Sequence, residues 1–178
     1  MSKSSSNARS AEMSVAVLSL GSNMDERESC ILEAAHRLGR SRGTRLLALS
    51  SLYETEPIGQ DFNSTFVNAA CTVETSLDPN GLLGLCKELE RAFGRGEDGA
   101  GDRPLDIDIV LYGDRVIQEP DLVIPHPRFK ERLFVLRPLI EIAPQLTDPA
   151  SGERIDVLCG HLTDRGWVRR ISSRRPIS

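Results

Sequence analysis

The chain has 178 residues, 26 acidic against 22 basic, a net charge of −4 and a hydrophobic share of 39%. That is enough apolar material for one globular domain, and it excludes wholesale disorder. The mildly acidic balance argues against a nucleic-acid coat, which is normally basic.

Residues 1–13 are polar and aperiodic and read as a disordered tail. Val15–Leu20 is a short apolar run closed by Gly21-Ser22-Asn23, which predicts a buried strand ending in a tight turn. Asn23 and Glu26 have the spacing of a capping box. Ile31, Leu32, Ala34, Ala35 and Leu38 then give helical spacing to about Ser41. Thr44–Tyr53 reads as a second strand, stopped by Glu56-Pro57-Ile58-Gly59. Phe66–Thr75 reads as a third, β-branched at Val67, Thr72, Val73 and Thr75. Asp78-Pro79 opens a helix with Leu82, Leu83, Leu85, Cys86, Leu89 and Phe93 on its apolar side. Gly94–Gly101 is a glycine-rich loop and Leu105–Tyr112 a fourth strand. Gly113-Asp114 turns into a short fifth strand around Val116–Gln118. A proline-rich connection leads to a helix over Phe134–Ile142. The rest is weakly patterned, and 161–178 reads as a basic tail with Arg169, Arg170, Arg174 and Arg175.

The order β-α-β-β-α-β predicts an α+β fold of the ferredoxin-like, split βαβ type over residues 14–160: a mainly antiparallel sheet with helices on one face. No apolar run reaches membrane-spanning length, and the first dozen residues hold no signal-like core. The expectation is a cytoplasmic protein with no membrane or nucleic-acid partner, acting as a monomer. Four separated cysteines with no CxxC read as reduced thiols.

The strongest local feature is Leu105-Asp106-Ile107-Asp108-Ile109. Side chains of a strand alternate faces, so Asp106 and Asp108 point the same way while Ile107 and Ile109 pack behind. Paired carboxylates with no His or Cys beside them suit Mg²⁺; alternatively they form a solvated acidic face. Arg95 and Arg103 bracket the glycine loop next to them. Arg beside paired Asp suits a metal-bound polyphosphate, with the glycines letting the loop close. Gly94, Gly96 and Gly99 match the GxGxxG spacing but follow a helix and precede a strand, the wrong context for a dinucleotide fold. His126, between Pro125 and Pro127 and followed by Arg128, Lys130 and Arg132, fits either phosphate contact or a structural loop. His36, His126 and His161 show no zinc-type pairing.

Gly21-Ser22-Asn23, Tyr53 through Pro57-Ile58-Gly59, Phe66-Val67-Asn68-Ala69, Arg103 through Gly113, and Ile124-Pro125-His126 through Phe134 to Pro144 occur in an order that resembles the 6-hydroxymethyl-7,8-dihydropterin pyrophosphokinases of folate biosynthesis. The resemblance spans roughly residues 14–160. It implies a ferredoxin-like fold and transfer of pyrophosphate from ATP to the pterin hydroxymethyl oxygen, with release of AMP. It implies two Mg²⁺ ions on Asp106 and Asp108, and ATP as co-substrate. Glu90, Arg95, Arg103, Ile109, His126, Lys130 and Arg132 match nucleotide-contacting positions. Thr55, Phe66, Asn68 and Phe134 match pterin-contacting positions. Arg95, Arg103, Asp106, Asp108, His126 and Arg132 form the implied catalytic set. One departure is Glu97-Asp98-Gly99-Ala100-Gly101-Asp102, where many relatives carry a second Arg and then Arg-Trp-Gly-Pro. Two other readings fit the residues: a ligand-binding relative without catalysis, and a ferredoxin-like interaction domain with a solvated acidic strand.

Overall fold

The computed structural model describes residues 12–24, 26–56, 65–94, 104–162 and 166–171. The elements are β1 (Ser14–Ser22), α1 (Arg27–Arg40), β2 (Thr44–Leu49), β3 (Tyr53–Thr55), β4 (Phe66–Thr75), α2 (Pro79–Ala92), β5 (Asp106–Tyr112), β6 (Ile117–Glu119), β7 (Leu122–Ile124), α3 (Leu133–Ile142), α4 (Ile155–Gly160) and β8 (Val168–Arg170). The main sheet runs β5-β1-β4-β3-β8, with β2 also on β4, and every pairing is antiparallel. Taking β2 and β3 as two halves of one broken strand gives the ferredoxin-like strand order, as the sequence predicts.

Strand parity builds the two cores. On β1, Ala16, Leu18 and Leu20 face α1 and α2, meeting Ile31, Ala34, Leu38, Leu82 and Cys86. Val17 faces the other way, onto Phe129, Val135, Leu136 and Leu139. The helices therefore cover both faces, correcting the one-sided expectation. The added helices α3 and α4 bury the apolar residues that the sheet turns away from α1 and α2. At α2 the Asp78 side chain accepts from Gly81 N at 2.7 Å, with Pro79 in the first turn, as the Asp-Pro signal predicts.

Three other expectations change. β1 continues through Gly21 and Ser22 instead of turning there, because both residues keep their register with β4. The capping box does not form: the residue preceding α1 is Glu26, in a left-handed conformation (φ 61°) and without a side-chain cap. The second strand breaks at Ser50–Leu52. There the Ser50 hydroxyl accepts from Ala70 N at 2.9 Å, and Ser51 N donates to the Glu141 carboxylate of α3 at 3.1 Å. β6 and β7 form a separate hairpin beside the main sheet.

Candidate functional site

The site lies on the sheet face that also carries α3, at the end of β1 next to α1. Register alone assembles it. Tyr53, Asn68, Gly21 and Asp106 form one cross-strand row through β3, β4, β1 and β5. Asp108 lies opposite Ser19 two residues further along, and Thr55 opposite Phe66. Thr55, Phe66, Asn68, Asp106 and Asp108 thus share a face, as alternation on the strands requires. Ile107 and Ile109 point to the opposite face and are buried under α1 and α2. The register skips one residue at Val110, a β-bulge. After it, Val110 and Leu111 both face α3 while Tyr112 returns to the α1 side.

At the β3–β4 end, Asn68 Nδ2 donates to Thr55 Oγ1 at 3.0 Å, and both residues are buried. This bond leaves the second Nδ2 hydrogen, Asn68 Oδ1 and the Thr55 hydroxyl proton to offer a ligand. Half-buried Phe66 stands beside them. A Cβ on Gly21 would lie 3.2 Å from Asn68 Oδ1, so glycine here keeps the floor between Asn68 and Asp106 open.

At the β5 end, Asp108 Oδ2 lies 3.3 Å from Arg132 Nη1 and 3.7 Å from His126 Nε2. His126 is held by its backbone, whose N–H donates to Val110 O at 3.0 Å. Its Nδ1 accepts from Arg128 N at 3.2 Å, which in the neutral ring places the proton on Nε2, toward Asp108. Burial holds the His126 pKa below its ordinary value; Asp108 pulls it up, while Arg132 and Arg128 push it down. Arg132 immediately precedes α3, and its guanidinium lies 5.6 Å from the centre of the Phe134 ring. Pro138 lacks the N–H that would bond the Phe134 carbonyl within α3. A cavity of about 250 Å³ runs along the outer edge of β5, walled by Leu83, Ile107, Ile109, Leu122 and Val123, with Asp108 and His126 at its polar side.

Two implied nucleotide residues sit in contacts within the protein. Glu90 is buried, and its Oε1 accepts from Ile107 N at 2.8 Å, satisfying an N–H on the outer edge of β5. Lys130 Nζ is ion-paired to the fully buried Asp148 and bonded to Ser151 Oγ at 3.2 Å. Burial works to raise the Asp148 pKa, but Lys130, Ser151 and the Ala150 N–H outweigh it and hold the group below its ordinary value. Asp148 carries no sequence signal. Arg95, Arg103 and the altered loop lie outside the described residues.

The model of the family 7,8-dihydro-6-hydroxymethylpterin-pyrophosphokinase (HPPK) matches residues 17–144, well over half of the chain. The chain belongs to the HPPK family. The 2-amino-4-hydroxy-6-hydroxymethyldihydropteridine pyrophosphokinase of Bacillus subtilis is 38% identical over 143 residues, which are 80% of this chain and 86% of that protein. The Methylorubrum extorquens protein of the same name is 37% identical over 158 residues, 88% of this chain and 99% of its own. Among solved structures, Plasmodium falciparum HPPK-DHPS with pteroate matches with a TM-score of 0.67 at 19% identity, over 84% of this chain. This chain spans 42% of that longer one, and at such identity the likeness shows the fold. As an HPPK, the chain is a pyrophosphokinase acting on hydroxymethyldihydropterin in folate synthesis, using ATP as co-substrate. No helix among the described residues is long and apolar enough to cross a membrane.

Proposed function

We propose that the shared sheet face is where this chain carries out pyrophosphoryl transfer, with the pterin at the β3–β4 end and the triphosphate at the β5 end. The observation that supports this is the register: pterin-type polar groups (Thr55, Asn68) and the Asp106/Asp108 pair occupy one face, separated by a glycine.

The flat pterin takes an aromatic neighbour in Phe66, and in Phe134 from α3. The Thr55–Asn68 pair offers both donors and acceptors to its ring edge. The cleft along β5 receives the nucleoside, with Leu83, Ile107 and Ile109 as apolar walls. Arg132 and the Nε2 side of His126 converge beside Asp108 and stabilise phosphate charge. Arg95 and Arg103 belong to the same proposal from the loop. Lys130 belongs to the proposal through the family resemblance, with its ammonium ion-paired to Asp148.

Two carboxylates on one strand face fit Mg²⁺, which usually takes one or two protein carboxylates together with substrate phosphates. Among the described residues no group of three or more His, Cys, Asp or Glu side chains could hold a metal by itself. Asp106 and Asp108 would hold the ions, two in our reading; when bound they neutralise phosphate charge and orient the triphosphate. The pterin hydroxyl oxygen attacks the β-phosphorus in line. The new O–Pβ bond forms as the bond from Pβ to the α–β bridging oxygen breaks. AMP departs with that electron pair, and the hydroxyl proton is released. No protein nucleophile takes part.

The test is AMP release from ATP and Mg²⁺ with and without 6-hydroxymethyl-7,8-dihydropterin. Pterin-dependent AMP is expected. ATP binding without AMP would mean that the chain binds its ligands and no longer turns them over.

A further inference from the structure

Two arginines of β8 grip β3 from opposite faces of the sheet. Arg170 pairs in register with Tyr53, and Arg169 with Glu54, so alternation sends their side chains to opposite sides. On the α3 side, Arg170 Nε donates to Ser51 Oγ at 2.8 Å, and its Nη2 lies 3.7 Å from Glu141 Oε1. Glu141 accepts from Ser51 Oγ at 2.9 Å and from the Tyr53 hydroxyl at 2.8 Å. Burial and then Glu141 push the Tyr53 pKa up to about 12, so the phenol remains a donor. On the α1 side, Arg169 Nη2 donates to Glu54 Oε2 at 2.6 Å. Glu54 Oε1 meets Arg27 Nη2 at 2.8 Å and accepts from Thr65 Oγ1 at 3.1 Å. Arg27 Nη1 also donates to Thr65 O at 2.8 Å.

These contacts converge on two points of the chain. One is β3, three residues long, which ends at Thr55. The other is Thr65, where the chain enters β4 just before Phe66. Thr55 and Phe66 are register partners. The two arginines therefore act on the spacing of Thr55 and Phe66 through Glu54, Ser51 and Tyr53, while Val168 of β8 pairs with Thr55 directly. Asp106, Asp108, His126 and Arg132 lie toward the opposite edge of the sheet. A three-residue strand open on one side is a weak element, and an outer strand that locks both its faces restricts how far it opens.

We propose that β8 is a positioning strand for the pterin half of the site, with Arg169 acting through Glu54 and Arg170 through Ser51, Tyr53 and Glu141. The proposal rests on the pterin reading of Thr55, Phe66 and Asn68. The experiment is steady-state kinetics on the full chain, with KM for pterin and for ATP measured separately. It compares wild type with Arg169→Gln, the double variant Arg169→Gln/Arg170→Gln, and the corresponding Lys variants. The double Gln variant is expected to raise the pterin KM at least fivefold, with ATP KM and kcat within twofold of wild type. Arg169→Gln alone, a change at an exposed side chain, should move the same constant less, and Lys at both positions should restore most of it. An unchanged pterin KM in an active double variant overturns the proposal, as does an equal rise in both KM values. If the double variant does not fold, the Arg169→Gln split decides in the same way. A wild type that releases no pterin-dependent AMP overturns the pterin reading and this proposal with it; only an active wild type with unmoved variants overturns the proposal alone.

Discussion

Gly21→Ala tests whether the floor between the two half-sites is functional. The added Cβ would lie 3.2 Å from Asn68 Oδ1, the only described atom within 4 Å of it beyond Gly21 and its chain neighbours. Asn68 would have to move by a few tenths of an ångström. It is 4% exposed and bonded to Thr55 Oγ1 at 3.0 Å, so it has little room to move without rotating its amide. Misaligning one or two amide hydrogen bonds to a heterocycle costs about 1–2 kcal/mol at a net value of about 1 kcal/mol each. That corresponds to roughly a five- to thirtyfold higher pterin KM. Stability should move the other way or not at all. Gly21 lies in a regular strand with no left-handed φ. Alanine there restricts the unfolded chain, a gain of up to about 1 kcal/mol over glycine. The ATP constant should hold, since the new methyl does not reach Asp106. The assay is pterin KM at saturating ATP, ATP KM at saturating pterin, and urea unfolding. An unchanged pterin KM, or a loss of stability accompanied by equal shifts in both KM values, would refute the reasoning.

Asp108→Asn removes the charge that Arg132 and His126 face, and AMP formation should fall at least about a hundredfold. A thermal-shift series with Mg²⁺ and ATP should show that the variant also loses most of the ligand-induced stabilisation. His126 has a folded pKa held below 6.5 by burial, so the unfolded chain binds the proton more tightly. Its contribution is complete above pH 6.5 and is lost as pH falls from there through the folded pKa. Urea unfolding across pH 5–7.5 should show that decline weakened in His126→Gln, and NMR should show the His126 ring titrating below 6.5. Glu90→Ala leaves the Ile107 N–H at the β5 edge without its acceptor, which should cost about 1–3 kcal/mol. Chemical denaturation measures this directly; Glu90→Gln, which keeps an acceptor oxygen, should cost less.

What was legible in the sequence had local causes. Phe66–Thr75 is a β-branched run, and Pro79 follows a side chain that caps its own helix, so both elements sit where the pattern puts them. Asp106 and Asp108 could be assigned to one face because period-two alternation holds up to Ile109. It fails two residues later, where the bulge sends Leu111 to the α3 side, and no residue type marks that event. The break at Ser50–Leu52 was hidden for another reason: the Ser51 N–H is satisfied by Glu141, 90 residues away. β8 is the extreme case. Val168-Arg169-Arg170 has neither alternation of polarity nor a turn signal, and its two arginines look like solvated charge. Only when β3 lies beside them do carboxylates from β3 and α3 turn that charge into a grip. Lys130 shows the reverse. Resemblance places it at the nucleotide, while Asp148, which no motif predicts, anchors it to the protein. In this fold, strand patterns specify which face a functional residue occupies. Distant carboxylates, invisible to any local window, specify how firmly its strand is held there.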